Sequence, residues 1–367
     1  MSEQRNIGKK QVISGFVPDV SKIAVVRANA LGDFIFVLPA LEALRQAYPH
    51  AEIVLLAKDW HAAFLHGRSG PVQRVQVIPP CRGVSTEAEG EEDPLVLESF
   101  FSEMAREHFD LALQLHGGGH YSNPFTLRLG ARMTVGLKTP DAEPLDRWLP
   151  YVYFQHEVIR YLEVVSLVGA NTVGFEPHIT LNAQDMAESN RVLAEGRKSL
   201  VALHPGASDP RRRWPIEKFA AVGDALSAAG VQVVITGTAD ERELAAAVRN
   251  TMHTRVQDLS GQLSLGGLAG LLSRCRLVVA NDTGPLHLAA AVGTATVGIY
   301  WCFNMINASV LTRRRHYPFI SWQLLCPVCG CNYAHAHCAH ESSMVQEVPV
   351  DAVIAAAQEL LADAFCA

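Results

Sequence analysis

The 367-residue sequence lacks any uncharged apolar run approaching the roughly 20 residues that a membrane-spanning helix needs, and no basic-then-apolar leader opens it. These absences predict a cytoplasmic protein with no membrane span, leaving only peripheral contact with the inner membrane open. A surplus of positive charge is missing too, since 31 Lys and Arg stand against 37 Asp and Glu, a formal net charge of −6. That balance argues against nucleic acid as a partner, with the Arg triplets at 211–213 and 313–315 as local exceptions. Nor are the eight cysteines spread along the chain as a disulfide framework would need. Four fall within residues 326–338, and Cys81, Cys275, Cys302 and Cys366 read as ordinary thiols. With 49% hydrophobic and 19% charged residues, the chain can bury large cores, and its length favours two domains over one.

Residues 22–27, "KIAVVR", are β-rich and lead through "ANALGD" into Phe34, Val37, Leu38, Leu41, Leu44 and Tyr48, spaced at three- and four-residue steps. That is a strand, a turn and an amphipathic helix, which Pro39 is expected to bend. "EIVLLA" at 52–57, "RVQVI" at 74–78 and "LALQL" at 111–115 read as further strands, and the β-α-β order predicts a parallel sheet. The acidic stretch 83–94 reads as a solvated loop. A second series starts near 199 with "SLVALHPG", then a helix from Ile216 to about Ala229, "VQVVITG", a helix from Asp240, "CRLVVANDTG" with a helix after it, and "ATVGIY" closing at 300. The boundary falls near 175–185, giving α/β units of about 1–180 and 181–367 whose facing cleft is the place for a ligand.

Four turns at strand ends carry chemistry. Asp33 follows Gly32 at the head of the first helix, where it serves as a cap, as a base facing the cleft, or as both. "HPGASDPRRRWP", 204–215, joins the turn Gly206, Ala207 and Ser208 to Arg212 and Arg213 ahead of a helix that Pro215 initiates; helix-start N–H groups and guanidinium groups suit a diphosphate. In "ANDTGPLHLAAAVG", 280–293, Asp282 or Thr283 is a candidate cap, Gly284 turns the chain, and His287 lies on the first helical turn. After Thr236 and Gly237, Asp240 or Glu241 is placed to accept from ribose hydroxyls, although capping explains Asp240 as simply. The glycine run in "LHGGGHYSNPF", 115–125, lets backbone approach a ligand closely or makes a mobile turn.

"LGDFIFVLPALEALRQAYP", "HPGAS…RRWP", "GTADERELA" and "NDTGPLHLAAAVG", in this order, resemble the family 9 glycosyltransferases, the ADP-heptose:lipopolysaccharide heptosyltransferases, across residues 22 to about 300. The resemblance implies a GT-B fold, two Rossmann-like domains with parallel sheets facing across a cleft, acceptor on the first and nucleotide-sugar on the second. It implies inverting transfer from an ADP-sugar to a glycan, protein or small-molecule hydroxyl, with Asp33 as general base and Asn29, Gly118 and His120 as acceptor contacts. Arg212 or Arg213, before Trp214, would contact the diphosphate where a lysine is common. Asp282, Thr283, Gly284 and His287 would lie near the pyrophosphate, and Asp240 or Glu241 near the ribose. Trp301 stands where a glycine is usual. Side-chain cations and helix starts offset the leaving charge, so the transfer needs no cofactor, and there is no Asp-x-Asp motif. A nucleotide-sugar epimerase or hydrolase, or a non-catalytic nucleotide-sugar-binding module, are the alternatives on the same scaffold.

"CPVCGCNYAHAHCAHE", 326–341, is a separate signal. Cys326, Cys329, Cys338 and His340 make the tidiest tetrahedral set for a structural zinc, while iron on four thiolates, Cys331 included, is the rival. His335 and His337 crowd the interval. With no obvious open coordination position, the cluster is expected to clamp the loop before the last helix.

Overall fold

The computed structural model describes residues 15–86, 92–172, 174–193, 199–312, 315–336, 338–340 and 342–363. The middle of the acidic stretch, Arg313, Arg314, His337 and Cys366 lie outside the described residues. The first lobe runs β1 (Lys22–Val26), α1 (Leu31–Ala47), β2 (Glu52–Ala57), α2 (Asp59–Leu65), β3 (Arg74–Val77), α3 (Pro94–Arg106), β4 (Leu111–Gln114), α4 (Ser122–Leu127), β5 (Met133–Lys138), β6 (Arg147–Pro150) and α5 (Glu157–Ser166). The second runs α6 (Ala183–Val192), β7 (Leu200–His204), α7 (Ile216–Ala228), β8 (Gln232–Ile235), α8 (Arg242–Thr251), β9 (Gln257–Asp258), α9 (Leu265–Arg274), β10 (Cys275–Asn281), α10 (Gly284–Ala291), β11 (Ala295–Trp301), α11 (Cys302–Ala308), β12 (His316–Ser321) and α12 (Val350–Asp363).

Each lobe holds a six-stranded sheet, ordered β3-β2-β1-β4-β5-β6 and β12-β11-β10-β7-β8-β9, and all pairs are parallel. Strand order reverses beside β1 in the first sheet and beside β7 in the second, so the loops after β1, β4, β7 and β10 border the two crevices. The central strands are buried on both faces, and their side chains alternate between layers. Ile23 and Val25 face one apolar cluster and Ala24 and Val26 another; Leu200 and Ala202 face the first of these, Val201 and Leu203 a third. The inner cluster is therefore common to both sheets, and α1, α5, α9 and α10 contribute to it. Across the lobes, Arg68 makes a bidentate ion pair with Asp185, at 2.7 and 3.1 Å, and also donates to the Thr180 carbonyl. Asp185 in turn accepts from the Asn182 N–H at the start of α6.

Several elements depart from the sequence expectation. The expected solvated stretch at 83–94 gives way to helix at Pro94, where Asp93 accepts from the N–H groups of Leu95 and Val96. The second sheet does not close at residue 300, because β12 adds to β11 in register from Thr296↔His316 to Trp301↔Ser321. The helix expected from Asp240 begins as a 3₁₀ turn, Ala239–Glu241, before α8.

Candidate active site

In the first lobe the acid turn is built around a buried cation. Arg27, 1% exposed at the end of β1, donates to the Asp33 carbonyl (3.0 Å), the Asp33 carboxylate (3.2 Å), the Leu115 carbonyl (2.8 Å), the Tyr161 hydroxyl (2.5 Å) and Glu157 (3.4 Å). Burial works against its charge, but Tyr161, Asp33 and Glu157 outweigh that and raise its pKa. Glu157 is itself held by Arg160 and by the Tyr161 hydroxyl. Asp33 accepts from Arg27 on one carboxylate oxygen and from the Ala30 N–H on the other (3.2 Å), while its side chain stays 37% exposed. It thus acts as a cap and remains open, with lone pairs left for a hydroxyl donor.

The second lobe meets this turn directly. A Cβ on Gly284, at the start of α10, would lie 2.9 Å from the Leu31 Cβ at the start of α1, and one on Gly32 would lie 3.3 Å from His287 Cδ2. Absence of side chains there lets two helix starts, each with a partial positive charge, converge. Asp282 is buried and accepts from Arg212 (3.2 Å) and from His287 Nε2 (3.1 Å). Neither Asp282 nor Thr283 caps α10 as expected: Thr283 is the cap residue but makes no side-chain cap bond, and the Asp282 carboxylate is taken up by the cation and the imidazole. His287 is buried, with its ring against Phe36 of the other lobe at 4.7 Å, so it orients Asp282 and packs the lobe contact.

Of the three arginines, Arg211 is locked onto Asp209. Arg212 spans from Ser208 Oγ (2.8 Å) to Asp282, across the ends of β7 and β10, whereas Arg213 turns back to the Ala207 carbonyl (3.0 Å). Ala207 is buried beneath this turn. Glu241, not Asp240, faces the crevice: it accepts from Thr238 N–H (2.8 Å) and Oγ1 (3.1 Å), lies 4.0 Å from His204 Nε2, and fills the space a Cβ on Gly206 would need. Asp240 is exposed and is not the cap. Thr236 is buried, its Oγ1 3.1 Å from His204 Nδ1, and Gly237 packs beside Ser260. Trp301 is turned away into the outer core, its indole N–H donating to the Gln323 carbonyl (2.9 Å).

The acceptor candidates separate. Asn29 sits next to the acid turn, with its buried side-chain oxygen lacking a hydrogen-bond partner. Gly118 is packed against Thr139 and Tyr151. His120 is exposed, with its ring nitrogen hydrogen-bonded to Asp141 at 2.7 Å on the surface. Sequence reasoning missed Arg27, Asn281, His61 and His116. Asn281 joins three segments, accepting from the Trp214 N–H (3.0 Å) and donating to the carbonyls of Pro205 (2.7 Å) and Gly206. His61 is wholly buried, stacked on Trp60 at 3.5 Å, with neither ring nitrogen hydrogen-bonded. Burial, then the charge on Arg27, pushes both His61 and His116 down to about 3. A charge ending the apolar run of β1 was the one readable signal among these.

The sulfur and nitrogen atoms of Cys326, Cys329, Cys338 and His340 lie within 4.8 Å of one another. That fits a tetrahedral shell, whose edges are about 3.8 Å for bonds of about 2.3 Å. Burial opposes ionisation of Cys326, but the N–H groups of Cys329 and Val328 outweigh it and bring the thiol down to about 6. Cys331, the fourth thiolate of the iron alternative, is turned to the Ala336 carbonyl at 3.6 Å, outside the set. Elsewhere burial pushes Cys81 up to about 11 and Cys275 up to about 12, as unreactive thiols require.

A family profile described as glycosyltransferase family 9 (heptosyltransferase) matches residues 97–318. The lipopolysaccharide core heptosyltransferase OpsX of Haemophilus influenzae is 19% identical over 301 residues, covering 80% of this chain and 83% of that protein. The solved E. coli ADP-heptose lps heptosyltransferase II superposes with a TM-score of 0.74 at 17% identity, over 94% of this chain and 99% of the other. The iron-containing dodecameric glycosyltransferase TibC of enterotoxigenic E. coli H10407 gives 0.55 at 12% identity, over 95% and 78%. At these identities the solved structures show the shared fold, two parallel α/β lobes of the GT-B kind.

Proposed function

The chain belongs to glycosyltransferase family 9, the heptosyltransferase family, and is a glycosyltransferase; from that premise we propose that it transfers a heptose or related sugar from an ADP-sugar to a hydroxyl acceptor with inversion. The observation that carries the reading is the contact between the two turns, which sets the Asp33 helix start against the Gly284–His287 helix start. In this reading the donor lies on the second lobe, residues 181–367, and the acceptor on the first, residues 1–180. Asp33 takes the proton of the acceptor hydroxyl as that oxygen attacks the anomeric carbon opposite the departing ADP. Arg27 fixes one carboxylate oxygen, the Ala30 N–H the other, and the hydroxyl approaches the exposed edge. Arg212, held over the crevice by Ser208 and Asp282, and the start of α10 take up the charge on the leaving diphosphate. Glu241 is the ribose contact.

The E. coli neighbour is an ADP-heptose enzyme, which supports the donor class, and the Haemophilus relative is named for the lipopolysaccharide core, which supports a glycan acceptor. The Cys/His cluster is a structural site for zinc or iron in this reading; its three thiolates and one imidazole suit zinc, and the iron-containing TibC supports iron. A bound ion there cross-links the segment and takes no part in transfer.

Asp33→Asn is expected to bind ADP as the parent does and to lose transfer by about 10²-fold or more. Transfer from ADP-heptose to a lipopolysaccharide inner-core acceptor, with the product anomer read by NMR, is the assay. Near-parental transfer by Asp33→Asn, or a retained anomer, overturns the reading.

A further inference from the structure

The far end of the Cys/His segment is bonded to the loop that carries the diphosphate arginines. The Met344 N–H donates to the Arg211 carbonyl at 2.6 Å and the Ser343 hydroxyl to the Arg213 carbonyl at 2.6 Å. Just beyond, the Val348 carbonyl accepts from the Trp214 indole (3.1 Å) and from Lys218 Nζ (2.8 Å). Tyr333, buried within the segment, lies under the Arg211 guanidinium at 5.7 Å, and Cys326, Tyr333, Met344 and Trp214 share one apolar cluster. Residues Arg211 to Trp214 are thus held by this segment or by their own loop, and Arg212, tied to Ser208 and the Asp209 carbonyl, reaches on to Asp282.

Between residues 322 and 340 the segment has little core of its own, although Met344, Val345 and Val348 beyond it are buried against the second lobe. Trp322, Leu325 and Val328 are exposed, and Cys326 and Tyr333 are its only two buried hydrophobics among the described residues 322–340. So small a core does not order a chain of this length without a cross-link. The four ligand atoms supply the place for one, and His340 lies three residues before Ser343, a reach of about 10 Å at most.

We propose that the metal-bound Cys/His segment sets the affinity for the donor's diphosphate, with Ser343 and Met344 as positioning residues that hold the Arg211–Trp214 loop. The proposal rests on the reading that Arg212 binds the diphosphate, and the test separates the two. Metal content is measured by mass spectrometry, and ADP and adenosine are titrated calorimetrically into the full chain as purified, after chelation, and as Ser343→Ala, Ser343→Thr and Arg212→Ala. Expected are one metal ion per chain; an ADP affinity reduced about five- to ten-fold in Ser343→Ala with its metal retained, and at least as much after chelation; recovery in Ser343→Thr; and adenosine binding unchanged throughout. Should chelation unfold the protein, the Ser343 pair still decides, since it leaves the cluster intact. Unchanged ADP affinity in Ser343→Ala, an equal loss for adenosine, or no stoichiometric metal overturns the proposal. Unchanged ADP affinity in Arg212→Ala instead overturns the diphosphate reading beneath it.

Discussion

Replacing Gly284 by alanine tests whether the two helix starts must touch for catalysis. The added Cβ would sit 2.9 Å from the Leu31 Cβ and 3.1 Å from its Cγ and Cδ2, where carbon atoms rest at about 3.5–4.0 Å. The clash is with the root of Leu31, so a rotamer change cannot relieve it, and α1 must move by roughly 0.5–1 Å relative to α10. Leu31 lies two residues before Asp33, so the carboxylate moves away from the donor by about that distance. Misplacement of about 1 Å between reacting groups costs on the order of 10²-fold. Gly32→Ala is the milder comparison: its Cβ meets the edge of the His287 ring at 3.3 Å, a shortfall of only a few tenths of an ångström and not against backbone or a Cβ. Initial rates at saturating donor and acceptor, with melting temperature measured alongside, are expected to show Gly284→Ala down about 10²-fold in kcat with donor binding kept, and Gly32→Ala within a few-fold. Equal effects of the two changes, or a parental kcat for Gly284→Ala, would refute the argument.

Arg27→Met should lower stability in urea by about 3–5 kcal/mol, because it strands Glu157 and Asp33 beside a buried site, while Arg27→Lys restores the charge but not the five-way geometry and should lower kcat more than donor KM. Arg212→Ala should weaken ADP binding by roughly 10- to 100-fold and Arg213→Ala by only a few-fold; calorimetry showing the opposite ranking would sink the assignment. Because His61 is held neutral down to about 3, the unfolded chain binds its proton first as pH falls below about 6.5. Stability should therefore decline from pH 6.5 toward pH 4, by up to about 1.4 kcal/mol per unit for this one group, and His61→Phe should flatten that slope in denaturant titrations across the range.

The sequence was most legible where a period coincides with a turn. β1, α1 and β2 could be placed because an alternating or three- and four-residue pattern ends on Gly32 or on a polar pair. β6, β9 and α9 carry weaker signals: β6 and β9 are edge strands of four and two residues, and α9 includes three glycines in "LGGLAGLLSR". The β12 strand, "HYPFIS", follows charged residues and contains a proline, which an edge strand tolerates and a pattern reader rejects. At the site, spacing found the turns but not the division of labour within them. Which of Asp240 and Glu241 faces inward, and which arginine reaches Asp282, depends on contacts 35 to 70 residues away, such as His204 with Glu241 and Arg212 with Asp282. The role of Arg27 is not legible in the sequence because its five acceptors come from three separate segments, the Asp33 turn, the end of β4 and α5.

The apolar layer common to both sheets has a practical corollary for anyone dividing this protein. Cut near residue 180, each fragment would carry a bare greasy flank, α1 and α5 on one and α9 and α10 on the other, with Arg68 and Asp185 each left without its mate. The separated pieces should clump when made alone and stay dissolved when made together, a behaviour of halves that were never meant to part company.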